Sequence, residues 1–234
     1  MADDGRQPAG FWRRYAAWSL DAAIIAVPTL LLSADTWPAR TQALRAAAVP
    51  MLNLIAQRLT DALMQGGDPL RLAHELASEE QLRLAMDATF AQIRALLLTP
   101  LLWFAVFAAI YWICFEASRW QATPGKRALH LRTEALSGER LGWGYAIARH
   151  CAGALSWLTL NLGHVLAAWT PQKRALHDYV AGTRVTIDAG VSTALPAWAK
   201  GWLWLQAVAA LLSSAWLYLY LLGALQSAVG SALY

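Results

Sequence analysis

Arg14 and Asp21 lie seven residues apart, and the residues between and beyond them are apolar from about Tyr15 to Ser33. Seven residues is nearly two helical turns, so both charges share one face, with Asp21 about 10.5 Å deeper along the axis. An unpaired carboxylate at depth in an apolar segment costs about 2.5–3.5 kcal/mol on insertion scales. It must find a partner or hold a proton. Arg14 is not the expected partner, because helical side chains tilt toward the N-terminus and carry its guanidinium away from Asp21. Arg149, which opens a later apolar stretch, is the expected partner of Asp21, and Arg14 is expected to meet Asp178. Arg14, Asp21, Arg149 and Asp178 therefore form a candidate ligand-binding or ion-pair network. Two readings stand together: an ion or proton site using Asp21, and a clamp that ties the first helix to a later segment. His177, beside Asp178, reads first as a residue that caps or satisfies its loop, and second as a candidate proton relay. His150 and His164 read as polar helix contacts or as pore groups.

Other chemistries lack their residues. Cys114 and Cys151 both sit inside apolar stretches with no CxxC or Cys/His spacing, which reads as core or lipid-facing thiols rather than metal ligands. The GKR near Thr133 lacks the GxxxxGK[ST] spacing of a phosphate loop. No Ser/His/Asp ordering and no metal spacing argue for an enzyme, and nothing calls for a cofactor. No basic stripe interleaved with aromatics argues for nucleic acid.

The elements that must position these residues are mostly membrane helices. Of the 234 residues 58% are hydrophobic and 15% charged, far from the roughly 25% charged share of soluble domains. Many of the 13 Trp border apolar runs, as interfacial anchors do. Four apolar stretches run from about Tyr15 to Ser33, Ala95 to Phe115, Trp143 to Trp169 and Trp202 to Leu225. The first, second and fourth suit the roughly 20 residues of a crossing. Asp21 and the lack of a small-x-small site make the first an uncleaved helix rather than a signal peptide.

Residues 34–94 are charge-balanced and helical in pattern, with one apolar stripe through Met51, Leu52, Ile55, Leu59 and Leu63 and another through Leu82, Met86, Phe90 and Ile93. Asp68-Pro69 reads as an N-cap with Pro at the first helical position, Ser78 with Gln81 as a capping box, and Gly66-Gly67 as a hinge. The segments TPGKRALHLRT (residues 123–133) and KRALHDYVAGTRVTI (residues 173–187) each read as a turn plus a short strand, and pairing is the natural way to stabilise both. The expected divisions are 1–33, the N-terminus and first transmembrane helix; 34–94, a helical extracytoplasmic insert; 95–187, the second helix, the strands and the third stretch; and 188–234, a linker and the C-terminal helix. The expected fold is an all-α membrane protein, a helical transmembrane bundle with a small cytoplasmic strand pair.

These residues resemble the RDD family, named for one Arg and two Asp. Its first-span pattern of Arg, Ala three on and Asp seven on is matched by Arg14, Ala17 and Asp21. Its TPGKR-like turn is matched by Thr123-Pro124-Gly125-Lys126-Arg127, its helix-opening Arg by Arg149, and its HDxxAGTxV by His177, Asp178, Ala181, Gly182, Thr183 and Val185. With residues 11–33, the 95–187 region would be the family's domain. His130 stands where many members carry Gly, the insert is longer than usual, and the fourth span lies beyond the domain. The resemblance implies a bacterial-type inner-membrane protein, with transport of an unidentified ligand usually suggested.

Loop charge bears on sidedness. If the third stretch crossed fully, nine of the nineteen Lys and Arg would lie inside and ten outside; if it enters and returns, thirteen lie inside and six outside. A re-entrant or interfacial third stretch, broken near Asn161–His164, is therefore the expectation, with the N-terminus cytoplasmic. The lead function is transport or ion handling through the Arg/Asp network. The alternative is a structural or accessory membrane protein that binds a partner. The expected partners are the lipid bilayer, a small ligand or ion, and a membrane protein or a second copy of the chain.

Overall fold

The computed structural model describes residues 5–66, 68–137, 139–158 and 162–233. In chain order its elements are β1 (Gln7–Pro8), α1 (Phe11–Ser33), a 3-10 turn (Ala34–Thr36), α2 (Trp37–Met64), α3 (Pro69–Ser78) and α4 (Glu80–Ala117). Then come α5 (Pro124–Ala128), β2 (Leu131–Ala135), α6 (Trp143–Leu158), α7 (Leu162–Trp169), α8 (Leu176–Val180), β3 (Thr183–Ile187) and α9 (Ala197–Leu233). The protein is mostly helical, and three helical stretches among the described residues are long and apolar enough to cross a membrane: the one that begins with α1, α4 and α9. Leu97, Leu101, Trp103, Val106 and Ile110 of α4 are exposed, as are Trp204, Leu211, Trp216 and Leu219 of α9. Such surfaces suit lipid, whose tails are as apolar as they are. Cys114 and Cys151 are free and exposed in the same way.

The chain divides into two compact units. The first comprises Met1–Thr29 and Trp103–Gln206. Its sheet has the order β1-β3-β2, all antiparallel, with Leu131 opposite Ile187 and Ala135 opposite Thr183. The paired strands expected from the sequence are thus present, and β1 adds a third through Gln7–Ile187 and Pro8–Thr186. Ala9, Ala16, Ala17, Leu129, Leu131, Val185, Ile187 and Ala199 form the core beneath it. Half of these are alanines, contributed by the segment before α1, by α1 and by α9. The opening turns of α9 are tied to α1, where Trp202 Nε1 and Gln206 Nε2 donate to Ser19 Oγ at 3.0 and 3.2 Å.

In this unit the segment after Thr123 is a short helix rather than a bare turn. Thr123 caps it, Pro124 opens it, and the strand begins only at Leu131. The third apolar stretch is two helices, α6 and α7, packed on each other. In a continuous helix residues 156 and 163 would lie about 10.5 Å apart along the axis. Instead a Cβ on Gly163 would strike Ser156 Oγ, and would lie 3.0 Å from Leu176 Cβ. Asn161, at the expected break, lies outside the described residues.

The second unit comprises Leu30–Leu102 and Ala207–Tyr234. Its helices α2 and α4 run antiparallel. Arg40 donates to Ala95 O and to Thr99 Oγ1, Thr89 Oγ1 reaches Ala47 O at 3.0 Å, and Arg58 holds Glu79 through two bonds of 2.9 and 2.7 Å. As expected, Asp68 caps α3, accepting from Leu70 N at 3.0 Å. The Ser78–Gln81 capping box does not form. Ser78 is the last residue of α3, its hydroxyl bonds back to Glu75 O at 3.1 Å, and α4 starts at Glu80. Gly66 has a φ of +63°, suiting the expected hinge, and Gly67 lies outside the described residues.

Candidate functional site

The site lies in the first unit, where α1, α4, α5, α6 and α8 meet. Asp21 is fully buried. Its Oδ1 accepts from Tyr111 Oη at 2.8 Å and from Gly125 N at 2.7 Å, and its Oδ2 from Thr123 Oγ1 at 2.5 Å. These donors explain the local sequence. Thr123 both caps α5 and donates to Asp21. Pro124 opens the helix, which would leave its N–H groups orphaned anyway. Gly125 must lack a side chain, because a Cβ there would strike Ala17 O and lie 2.7 Å from Asp21 Oδ1. Ala17, itself fully buried, lets that backbone approach. The Arg-Ala-Asp pattern and the TPG turn are therefore two halves of one contact.

Asp178, also fully buried, anchors a second cluster. Its Oδ2 accepts from Arg14 Nη2 at 2.6 Å and from Ala175 N at 2.8 Å. Its Oδ1 accepts from Arg149 Nη1. Arg149 also donates to Thr183 Oγ1 at 2.6 Å and to Glu116 Oε2 at 2.9 Å, and Lys126 Nζ binds the other oxygen of Glu116. The result is a row of alternating sign, Arg14–Asp178–Arg149–Glu116–Lys126, almost wholly out of water. Arg14 also donates to Lys173 O at 2.7 Å, and Arg174 to Asp178 O at 2.9 Å.

Burial alone would raise the Asp178 carboxyl, but the Arg14 and Arg149 guanidiniums outweigh it and hold it well below the usual carboxylate range. Burial pushes the Lys126 ammonium down, with Glu116 opposing the shift. Burial likewise holds His177 well below the ordinary histidine value, against the pull of Asp178. The cluster is thus a store of fixed charge, and its one neutral titratable member is an imidazole.

Of the residues expected from the sequence, Arg14 and Asp178 meet, and Arg149 and His177 join them. The expected Asp21–Arg149 pair does not form. The three donors around Asp21 already satisfy it, while Glu116, Asp178 and Thr183 take up Arg149. His150 stacks on Trp112, and His164 lies 4.9 Å from His177, ring to ring. Sequence reasoning missed Glu116, Tyr111 and the Lys126 contact. A signal existed for Glu116, which is the sole acid between Asp87 and Glu134 and closes an apolar helix. The test that singled out Asp21 would have found it.

Long apolar helices around a buried charge network define an integral membrane protein. The chain belongs to the RDD family, whose sequence pattern matches residues 8–182. That match spans both clusters and leaves α9 outside. An uncharacterized protein of Bacillus subtilis (strain 168), YxaI, is 27% identical over 179 residues, which cover 76% of this chain and 97% of the relative. No solved structure matches the chain.

Proposed function

We propose that this RDD-family membrane protein transports or handles an ion or small polar ligand, and that the Arg14–Asp178–Arg149 centre is its working part. The observation that carries the reading is the buried row of five charges that ends on Arg14 and Lys126. Buried charges are expensive, and pure stability is often served as well by apolar packing, so their presence points to use. The work is not enzymatic on this reading: Asp178 and Glu116 are held by cations rather than poised to transfer protons to a substrate. The bilayer is one partner, and a second copy of the chain or another membrane protein is the other class expected.

One observation favours the alternative, an accessory protein whose network is a clamp. Asp21 accepts three hydrogen bonds, from Tyr111 of α4, from Thr123 at the cap of α5 and from Gly125 N, so it ties three segments together. The test is Asp21→Asn in purified protein, read by thermal melting and by ion flux into liposomes. Lost flux with an intact melt supports transport through Asp21. A lowered melt, with flux that tracks the folded fraction, supports the clamp at Asp21 and leaves any ion chemistry to the Asp178 centre. The absence of flux in the wild type with any common cation or anion would overturn the lead reading.

A further inference from the structure

His177 Nε2 lies 3.4 Å from Arg14 Nη2 and 3.5 Å from Asp178 Oδ1. A guanidinium can only donate, so Nε2 accepts from it and the ring proton sits on Nδ1. That Nδ1 is buried with no hydrogen-bond partner among the described residues, and so is Nδ1 of His164. A neutral imidazole between a cation and an anion, with its own N–H unsatisfied, is badly served as a structural residue.

We propose that His177 is the proton-binding group of this protein: a proton taken up at Nε2 turns that atom from an acceptor of Arg14 into a donor to Asp178, and so loosens α1's arginine from the network. This rests on the ion-handling reading and names its coupled ion. The N–H bond forms at Nε2, the Arg14 hydrogen bond to the ring is lost, and Asp178 balances the new charge. The groups that face His177 are Arg14 from α1, Arg149 from α6, His164 from α7 and Asp178 from α8. Of the nearby charges on other segments, Arg174 is turned to Asp178 O and Thr183 O, and Arg184 of β3 to Glu134. Burial first, and then the three facing groups that are cationic or can become so, keep the site empty at neutral pH. Asp178 makes loading possible.

The experiment is nitrogen-15 NMR of the imidazoles, five in all, in the full chain in nanodiscs. At pH 7.5 the resonance assigned by its loss in His177→Gln should show a protonated Nδ1 and a bare Nε2. It should titrate below the ordinary value of about 6.5. Arg14→Gln and His164→Gln should each raise that midpoint, the first by about one pH unit or more. An Nε2–H tautomer at neutral pH, or a midpoint that neither variant moves, would overturn the proposal. Flux of protons into liposomes by wild type that persists in His177→Gln would overturn it as well. Wild type that moves no ion yet shows the tautomer and the shifts would sink the transport reading alone, and leave the proton switch as a property of a clamp.

Discussion

Each of the two signature carboxylates has its own task. Asp21 is held by neutral donors and Asp178 by cations. A double-mutant cycle separates them. Asp178→Asn and Arg149→Gln should couple strongly in thermal melts, because either change alone leaves a buried charge uncompensated, at about 3–5 kcal/mol. Asp21→Asn and Arg149→Gln should couple far less, since they share no hydrogen bond. Gly125→Ala should destabilise by about 1–3 kcal/mol, the usual cost of overpacking. Gly144→Ala in α6, where a Cβ meets nothing within 4 Å, should be neutral or stabilising. Acid should weaken the fold in two steps. His177 binds its proton less readily folded than unfolded, so stability falls as pH drops below about 6.5 toward its lower folded value. The contribution of Asp178 is present above about 3.9 and is lost as pH falls through its still lower folded value. Melts across pH in detergent should show the first step shrink in His177→Gln. The sequence told that Asp21 and Arg149 would be buried and charged, because depth in an apolar run is legible one residue at a time, but the same reading passed over Glu116. It told the Arg14–Asp178 pairing from side-chain direction, and missed who serves Asp21, because a neutral Tyr, a Thr and a backbone N–H leave no charge to read.

Among the elements, the long helices and the strand pairing follow from composition and alternation, and both are visible in the chain. The strand β1 was not, because two residues ending in Pro carry no alternation; it exists only because β3 offers an edge to Gln7 and Pro8. The short helix α5 was hidden for a related reason. Five residues are too few for a periodicity, and only the cap and proline at Thr123-Pro124 announce it. Just past it, His130 has a φ of +55°, a conformation that suits glycine after a helix C-terminus. His130→Gly should therefore stabilise the first unit by about 1 kcal/mol, since the left-handed region costs a side chain about 1–2 kcal/mol and glycine's extra unfolded freedom takes back part of it. The check is the melting temperature beside that of His130→Ala, which keeps the Cβ and should gain nothing.

At the scale of the whole molecule, the sheet bears on sidedness. The strands β2 and β3 pair along five residues, so the chain leaves β2 and returns to β3 in one compartment. Between them lie α6 of 16 residues and α7 of 8, packed on each other. At 1.5 Å per residue α7 spans only about 12 Å, too little for the roughly 30 Å of hydrocarbon. Both facts support a third stretch that enters or lies along the membrane and returns. The N-terminus pairs with the same sheet through β1, and the descent from α4 and the start of α9 lead to and from it. The topology we propose has three crossings, with residues 34–94 outside as expected from the sequence. Six of the nineteen Lys and Arg fall in residues 34–94 and thirteen elsewhere, and the proposed cytoplasmic side of the sheet rests on that positive-inside bias. Single cysteines on a background lacking Cys114 and Cys151 give the check, with an impermeant maleimide applied to intact cells and to inverted vesicles. Gln121→Cys and Gln172→Cys should react only in inverted vesicles, and Glu75→Cys only in intact cells. Labelling at position 172 from outside with position 121 still inside would mean that the third stretch crosses fully. That outcome would put β2 and β3 in different compartments and would be incompatible with the sheet.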